Sequence, residues 1–543
     1  MDERLGALVI GAGPTGLTMA AELARFGVAT RIVDGAPAPS ATSKAFAVQA
    51  RTLEEFVRMG IAERFVAEGL HARGISVFAE GARLAHVGFD AIESRFPFVL
   101  LIAQSRTERL LAEHLTGFGV AVERGVRLVT FRDDDEGVEA ELASADGGAE
   151  RVRARWLIGC DGAHSTVRHA LGLPFQGTTV DASFALADVK MDWAMPDDEI
   201  SVFLGHGDVA GFFPIPGKRF RIVIERRDAP TTGDPTLDEF TAAMQELGAP
   251  PAVLSDPVWL TRFTINERRV VRYGRGRVFV AGDAAHIHSP VGGQGMNTGI
   301  QDACNLAWKL GLIERGLAHR ALVESYRTER EGVGAALLRD TSAATKMALL
   351  RNPVSEAIRN RTLRLVSAFE PVQDRIRAAV SELAIAYRNS PIVCDDVVGL
   401  DRFIHRVWGA QAGDRAPEAF ARRQRDGADV SPLDLLKDLR HVLLLFVGAS
   451  RGSAEAQSVA DLVATSYSAT IACYEVCAAE PTERSLEPPG PWERLYDGNG
   501  SFHRAFGAVQ EQIVLIRPDG YLAYRGLPVD ARRFAGYLSQ VFA

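Results

Sequence analysis

The amino-acid sequence predicts an α/β protein built on an open parallel sheet, and three observations carry that prediction. An apolar run at Leu5–Ile10 leads through a glycine-rich turn and a helical pattern into a second apolar run that ends at Asp34. Two later apolar runs, "RWLIGCDG" (Arg155 to Gly162) and "RVFVAGDA" (Arg277 to Ala284), end in the same way, on an acid flanked by glycine or alanine. The length, 543 residues, exceeds what one core usually serves; at about 150 residues per domain it suggests two to four domains.

The first 34 residues read as a βαβ unit: strand Leu5 to Ile10, helix from about Thr15 to Phe26, a break at Gly27, and strand Ala29 to Val33. Between strand and helix lies "GAGPTG". Gly11 permits the tight turn, Gly13 lets backbone approach a pyrophosphate, and Gly16 lets helix pack closely on strand, with Pro14 and Thr15 between them. Asp34 then stands where a carboxylate can accept both hydrogen bonds of a ribose diol. A lone glycine pattern of this kind is weak; the agreement of strand, helix, strand and terminal acid makes it a Rossmann-like dinucleotide-binding unit. Ligands gather at the carboxyl ends of strands in open α/β sheets, so Asp34, Asp161 and Asp283 are expected to converge on one extended cofactor. Capping of the helices that follow is the competing role for Asp161 and Asp283, and the two roles are compatible.

From about 175 to 275 the chain reads as strands separated by Gly, Pro and Asp turns, a sheet that roofs a substrate cavity. In "GDAAHIHSPVGGQGMNTG" (Gly282 to Gly299) the glycines at 292, 293 and 295 let backbone lie against a flat ring, where a Cβ would push it away. A capping box, Thr298-Gly299-Ile300-Gln301, opens an almost wholly apolar helix through Leu312, whose free N–H groups face the glycine loop. His286 and His288 lack a Cys or carboxylate set to complete a metal site, so no metal is expected and packing or hydrogen bonding is the reading for both. After a helical stretch from about Ala318 to Arg388 the last 150 residues alternate loops and apolar strands, including "HVLLLFVG" and a hairpin turned at Pro518-Asp519-Gly520. Cys473 and Cys477, in "CYEVC", are placed on a helix as buried thiols.

Composition excludes several classes. Hydrophobic content of 47% with 24% charged residues is that of a globular protein, and a net charge of −8 disfavours a nucleic-acid platform. Five scattered cysteines are not a disulfide framework and point to a reducing compartment. The acidic start running straight into the glycine pattern is not a signal peptide, so a cytoplasmic protein is expected. No apolar run reaches the roughly 18 residues of a membrane-spanning helix.

"GAGPTG", "CDGAHSTVR" (Cys160 to Arg168) and "GDAAHIHSPVGGQGMNTGIQDACNLAWKL" (Gly282 to Leu310) together resemble the three fingerprints of the FAD-dependent aromatic hydroxylases, the class A flavoprotein monooxygenases. "ARTLE", "QSRTERLLAEHL" and "FFPIPGKRFRIV" support the match in the family's order. The resemblance implies a glutathione-reductase-type FAD-binding domain formed by residues 1–175 and 276–390, an inserted β-sheet substrate domain over 176–275, and a thioredoxin-like C-terminal domain over 391–543, as in phenol and polyketide hydroxylases. In that domain "GASRGS" stands where a thioredoxin carries its CxxC, so the domain is structural and open to subunit contact in a homodimer.

It also implies residue roles. Gly11 to Gly16 hold the FAD pyrophosphate, Asp34 the adenosine ribose, Gln104 the ribityl region, Asp161 lies near the pyrophosphate, and Gly282 and Asp283 meet the ribityl chain. Pro290, Gly292, Gly293, Gln294, Gly295, Met296 and Asn297 wrap the isoalloxazine ring, with Pro290 and Gly292 beside its reactive part. Where the family carries an arginine this chain has Lys44, a point charge and not a bidentate fork, and Arg51 is a second phosphate candidate. NADPH or NADH then reduces FAD without a binding domain of its own, and O2 is activated as a flavin C4a-hydroperoxide that hydroxylates a phenolic or polyketide-type aromatic compound. Phe46 falls where phenol hydroxylases carry an acid, so no side-chain base is expected, and Phe46, Phe213 and Pro214 shape the substrate pocket. Two alternatives stand beside this reading: a same-fold flavoprotein epoxidase or reductase acting on isoprenoids, and a non-catalytic flavin- or ligand-binding protein.

Overall fold

The computed structural model describes residues 5–40, 45–205, 207–226, 233–290, 292–350, 352–367, 369–398, 409–447, 452–478 and 492–543. Lys44 and the Gly448 to Arg451 part of "GASRGS" lie outside them.

The βαβ unit forms as read: β1 (Leu5–Ile10), α1 (Pro14–Arg25) and β2 (Thr30–Asp34). Pro14 opens α1, where its missing N–H costs no helical bond, and Gly27 ends the connection at φ +78°. β1 pairs in parallel with β2 on one side and with the strand Ala149–Gly159 on the other, and that strand pairs in parallel with Val278–Val280. The register sets Ile10 beside Val33 and Gly159, and Gly159 beside Val280. The three strand ends that share the acid pattern therefore lie at one carboxyl edge, with β1 between the Asp34 strand and the other two. This sheet, α1 and the buried helix Gly295–Glu314 enclose the largest core.

A second sheet of eight strands runs His286–Ile287, Val253–Val270, Phe175–Asp192, Arg219–Glu225, Asp208–Ile215, Glu199–Gly205, Gly74–Ala79, Ala82–Gly88. It holds five strands from the middle segment read as a sheet and two that come from the first hundred residues, Gly74–Ala79 pairing in parallel with Glu199–Gly205. The helix Leu237–Glu246 packs its Phe240, Ala243 and Met244 on this sheet. The helical stretch resolves into Leu322–Ala348, Pro353–Val366 and Glu370–Ser381.

The last third contributes a third mixed sheet centred on His441–Val447, parallel to Ile471–Cys477 and antiparallel to Gln512–Ile516. Here one expectation is corrected: Cys473 and Cys477 lie on the strand Ile471–Cys477, not on a helix. The segment "IACYEVC" is a short apolar run, and such a run fits a buried parallel strand as well as a helix turn; the neighbouring buried strand His441–Val447 decides it. The hairpin turn at Pro518-Asp519-Gly520 forms as expected, with Arg517 N–H donating to Tyr521 C=O at 2.8 Å and Gly520 at φ +76°. It is not a surface turn, however. Arg517 and Asp519 are buried, pressed against the first sheet's helices.

Candidate active site

A cleft of about 630 Å³ opens at the carboxyl edge of the first sheet. Its lining brings together Gly11, Gly13, Pro14, Thr15, Asp34, Gln104, Asp161, Asp283, Pro290, Gly293, Gln294, Gly295, Met296 and Phe46, residues drawn from six separate stretches of sequence. Arg127 and Leu128 on the strand Val126–Asp133, which carry no sequence signature, also line it, as do His288 and Ser289 of the fingerprint segment ahead of the glycine loop.

The glycines have separable roles. A Cβ on Gly11 would meet the Cys160 carbonyl oxygen at 2.4 Å, and one on Gly16 would meet the Gly11 carbonyl oxygen at 1.9 Å, so both are dictated by protein packing. A Cβ on Gly13 would meet no protein atom within 4 Å; the space it leaves belongs to the cleft. That is the division the sequence predicts, and it leaves a backbone surface bare for a pyrophosphate. Gly282, at φ +59°, leaves room for the Thr15 side chain, and Gly292 and Gly293, at φ +88° and +64°, build the bend of the loop.

Asp34 accepts hydrogen bonds from the backbone N–H of Ala12 at 2.6 Å and of Ala36 at 2.8 Å, and Arg124 stands 3.3 Å from it. The carboxylate is thus fixed at the end of β2 while still lining the cleft. Asp161 accepts from Ser165 Oγ and, at 3.2 Å, from the Val167 N–H, so it anchors the first turn of the helix Thr166–Ala170 as well as lining the cleft. Gln104 accepts the Ala45 N–H at 2.9 Å and donates to Glu108 at 2.8 Å, tying the segment that carries Phe46.

The helix behind the glycine loop corrects a second expectation. It begins at Gly295, with Gln294 as cap residue, one turn before Thr298. Thr298 N–H donates to Gln294 C=O at 2.9 Å, so Thr298 is already inside the helix. The pair expected to form a capping box turns to another partner: Thr298 Oγ1 and Gln301 Nε2 both donate to the carboxyl of Glu382. Glycine and asparagine have low helix propensity, which favours the later start in sequence; tertiary bonds override it. Asn297 Nδ2 donates to Ala47 C=O at 2.9 Å and to Gly293 C=O at 2.8 Å, and its Oδ1 accepts the Gln49 N–H at 2.9 Å. The first-turn N–H groups, which a helix leaves without intrahelical partners, consequently belong to Gly295 to Asn297, of which Gly295 and Met296 line the cleft.

The two histidines separate. His286 is buried and bonded to Asp302 at 2.8 Å, and Asp302 also accepts the Gly282 N–H at 2.9 Å. Burial pushes the Asp302 carboxyl up, but Arg330 and His286 outweigh it and hold the group below its usual range. His288 lines the cleft; its Nδ1 donates to Ser289 C=O at 2.7 Å, and its buried Nε2 has no hydrogen-bond partner among the described residues. Burial lowers its pKa to about 4, so Nε2 is an acceptor that a bound molecule's donor can satisfy. Among the described residues no group of three or more His, Cys, Asp or Glu side chains gathers as a metal cage.

Arg51 does not join the cleft. It is buried at the start of α2 (Ala50–Met59), paired with Glu54 and Glu55 and donating to Asp519 C=O at 2.6 Å. At the opposite side, Phe46 meets Phe213 edge-on with centroids 4.9 Å apart, and the buried Arg221 guanidinium lies 4.7 Å from the Phe46 ring while paired to Asp188 at 2.7 Å. Pro214 follows Phe213 on the strand Asp208–Ile215.

The residues present fit FAD: a bare glycine turn for a pyrophosphate, a fixed acid for the ribose, an orphaned buried acceptor at His288, and a helix N-terminus at the loop. Comparison with known proteins agrees. Residues 4–341 match the family model described as an FAD binding domain. The chain is 38% identical to the 6-methylpretetramide 4-monooxygenase of Streptomyces rimosus over 96% of its own length and 90% of that protein's. It is 32% identical to the pentachlorophenol 4-monooxygenase of Sphingobium chlorophenolicum, over 95% and 93%. The solved OxyS anhydrotetracycline hydroxylase from Streptomyces rimosus superposes with a TM-score of 0.75 at 28% identity, covering 99% of both chains. Nucleotide-binding fold, cleft and relatives coincide: the chain belongs to the FAD-binding-domain family of monooxygenases and is an FAD-dependent aromatic hydroxylase that uses NAD(P)H and O2.

Proposed function

We propose that this hydroxylase acts on a polycyclic, phenolic compound of the polyketide type. The observation that carries the reading is the aromatic wall at the cleft: Phe46 against Phe213, with Arg221 stacked behind Phe46 and held by Asp188. It offers a flat apolar surface for fused rings and puts no acid at residue 46. The names of the relatives, a 6-methylpretetramide monooxygenase and an anhydrotetracycline hydroxylase, support a fused-ring substrate over a single ring, although the pentachlorophenol enzyme is also related.

In this reading Gly11 to Gly16 and Asp34 hold the adenine-nucleotide half of FAD, Gln104, Asp161, Gly282 and Asp283 its middle, and Pro290 to Asn297 its ring. When bound, FAD supplies hydride acceptance from NAD(P)H and the activation of O2. The chain's own part is to orient and enclose. The N–H groups of Gly295 to Asn297 and the positive end of the helix dipole stabilise negative charge on the ring without a cationic side chain. Phe46, Phe213 and Pro214 position the substrate ring and exclude water. Domain limits at 175, 275 and 390 are supported by the three large sheets, with Gly74–Gly88 and His286–Ile287 lent to the middle one and Gly274–Arg275 to the first. The order of the third sheet and the helices Ala454–Leu462 and Ala531–Val541 beside it support a thioredoxin-like C-terminal domain. Five unpaired cysteines suit a cytoplasmic setting.

The test is NAD(P)H oxidation by the FAD-loaded protein, compared over tetracyclic phenols, simple phenols and aromatic acids, with hydroxylated product measured. Stimulation and product with fused-ring phenols are expected; hydroxylation confined to single-ring phenols would refute the substrate class.

A further inference from the structure

The hairpin turn at residues 517–521 belongs by sequence to the last sheet, yet its polar groups are spent on the cofactor domain. Two buried routes lead from it to the cleft. In the first, Arg51 donates to Asp519 C=O at 2.6 Å and stacks on Tyr521 with 4.8 Å to the ring centroid. Arg51 stands two residues after Gln49, whose Nε2 donates to Gly292 C=O at 2.9 Å and whose N–H donates to Asn297 Oδ1 at 2.9 Å. In the second, Arg517 donates to Glu329 at 2.6 Å, and Glu329 also takes Lys309 at 2.8 Å and Asn305 at 2.7 Å. The next residue, Arg330, pairs with Asp302 and donates to Thr298 C=O at 3.0 Å. Asp302 in turn holds the Gly282 N–H and His286. One route ends on Gly292 and Asn297, the other on Gly282 and the first turn of the helix Gly295–Glu314.

We propose that the turn Arg517–Tyr521 is a positioning element for FAD: the C-terminal sheet sets the geometry of both segments that flank the flavin ring, through Arg51 and Gln49 and through Glu329, Arg330 and Asp302. The physical reason is that every charge in the network is buried and paired, so each guanidinium and carboxylate has one low-energy place, and displacing the turn displaces its partners. This rests on the reading that the Gly282–Asp283 and Gly292–Asn297 segments hold FAD. It assigns the C-terminal sheet a role in cofactor affinity that involves no cysteine chemistry.

The test is FAD affinity of the full chain after removal and restoration of the cofactor, together with visible circular dichroism of the bound flavin. Arg517→Met/Asp519→Asn removes one charge of each sign from the turn. Tyr521→Leu removes the ring over Arg51 and leaves every charge paired, and it serves if the first variant does not fold. The control is Arg525→Met/Asp395→Asn, a pair at 2.7 Å within the same sheet whose arginine is buried and whose carboxylate is at the surface. Asn297→Ala removes the amide that holds Gly293 and Gln49 and so tests the loop at the cleft. Weakening of FAD binding by about tenfold with an altered flavin signal is expected in the turn variants. The control should lose thermal stability at wild-type affinity. Wild-type affinity and signal in the turn variants, with Asn297→Ala weakened, would overturn the coupling alone. Wild-type affinity in all of them would overturn the cleft reading and the coupling with it.

Discussion

Asn297 and Gln49 join the two sides of the cofactor cleft: the Gln49 backbone N–H donates to Asn297 Oδ1 at 2.9 Å, deep in the core. The same amide group holds Ala47 and Gly293 through Nδ2. Asn297→Ala leaves one N–H and two carbonyls without their partner in a site from which water is largely excluded. A loss of about 1–3 kcal/mol in stability is expected, from the cost of unsatisfied buried groups. Denaturant unfolding of the cofactor-free protein measures it, and an unchanged midpoint would show that water replaces the amide.

Asp283 makes the opposite prediction. It is exposed on the short turn Gly282–Ala284 and lines the cleft, so its removal should cost the fold less than removal of the buried Asn297. Asp283→Ala is expected to weaken FAD binding by about tenfold or more, the worth of hydrogen bonds to a charged group, with a smaller loss of stability in the cofactor-free protein than Asn297→Ala shows. Unchanged FAD affinity would remove Asp283 from the site. The contrast with Asn297 separates a group that meets the cofactor from one that builds its cradle.

Much of this was legible in the sequence because it depends on local rules. The turn at Gly11 to Gly16 and the acids closing three strands are short-range patterns, and the parallel register places them side by side. What escaped depends on distant partners. Thr298 and Gln301 have the spacing of a capping box, yet Glu382, 81 residues beyond Gln301, takes both side chains and the helix starts a turn earlier. Arg51 is near a glycine-loop partner in sequence, but the turn at Asp519, 468 residues away, claims its guanidinium. "CYEVC" is ambiguous between helix and strand until its neighbour strand is known. Arg127 and Leu128 carry no motif; only the folded cleft shows them.

Glu382 yields a pH prediction. Burial raises its pKa from 4.5 to about 8, against the opposing pull of Arg330 and of the Gln301 and Thr298 hydrogen bonds. For a carboxyl with a raised folded pKa, the native state keeps a proton that the unfolded state has released. Stability therefore falls as pH rises from about 4.5 to about 8, by up to about 1.4 kcal/mol per pH unit for one proton, and levels off above. Glu382→Gln keeps hydrogen-bonding capacity and removes this titration. Its stability relative to wild type should rise across that window and stay constant above it. Parallel wild-type and variant curves in denaturant titrations at several pH values would show that Glu382 is ionised in the folded protein.

Phe46 offers the sharpest test of how the pocket works. Its ring packs edge-on against Phe213 and lies over the Arg221 guanidinium, which Asp188 neutralises, so the aromatic wall is braced by a cation that is itself paired. Phe46→Leu keeps the wall apolar but removes the edge contact and the ring–cation contact, together worth roughly 1–3 kcal/mol in a buried setting. No acid or base is lost, and the residues assigned to FAD are untouched. The variant is therefore expected to bind FAD normally and to oxidise NAD(P)H in response to substrate, while a severalfold larger share of the reducing equivalents appears as hydrogen peroxide. A loosened wall holds the substrate ring less well and admits water. The ratio of hydroxylated product to NAD(P)H consumed measures this. An unchanged ratio would place the positioning surface elsewhere on the middle sheet; lost turnover with intact coupling would show that Phe46 governs substrate entry and not its orientation.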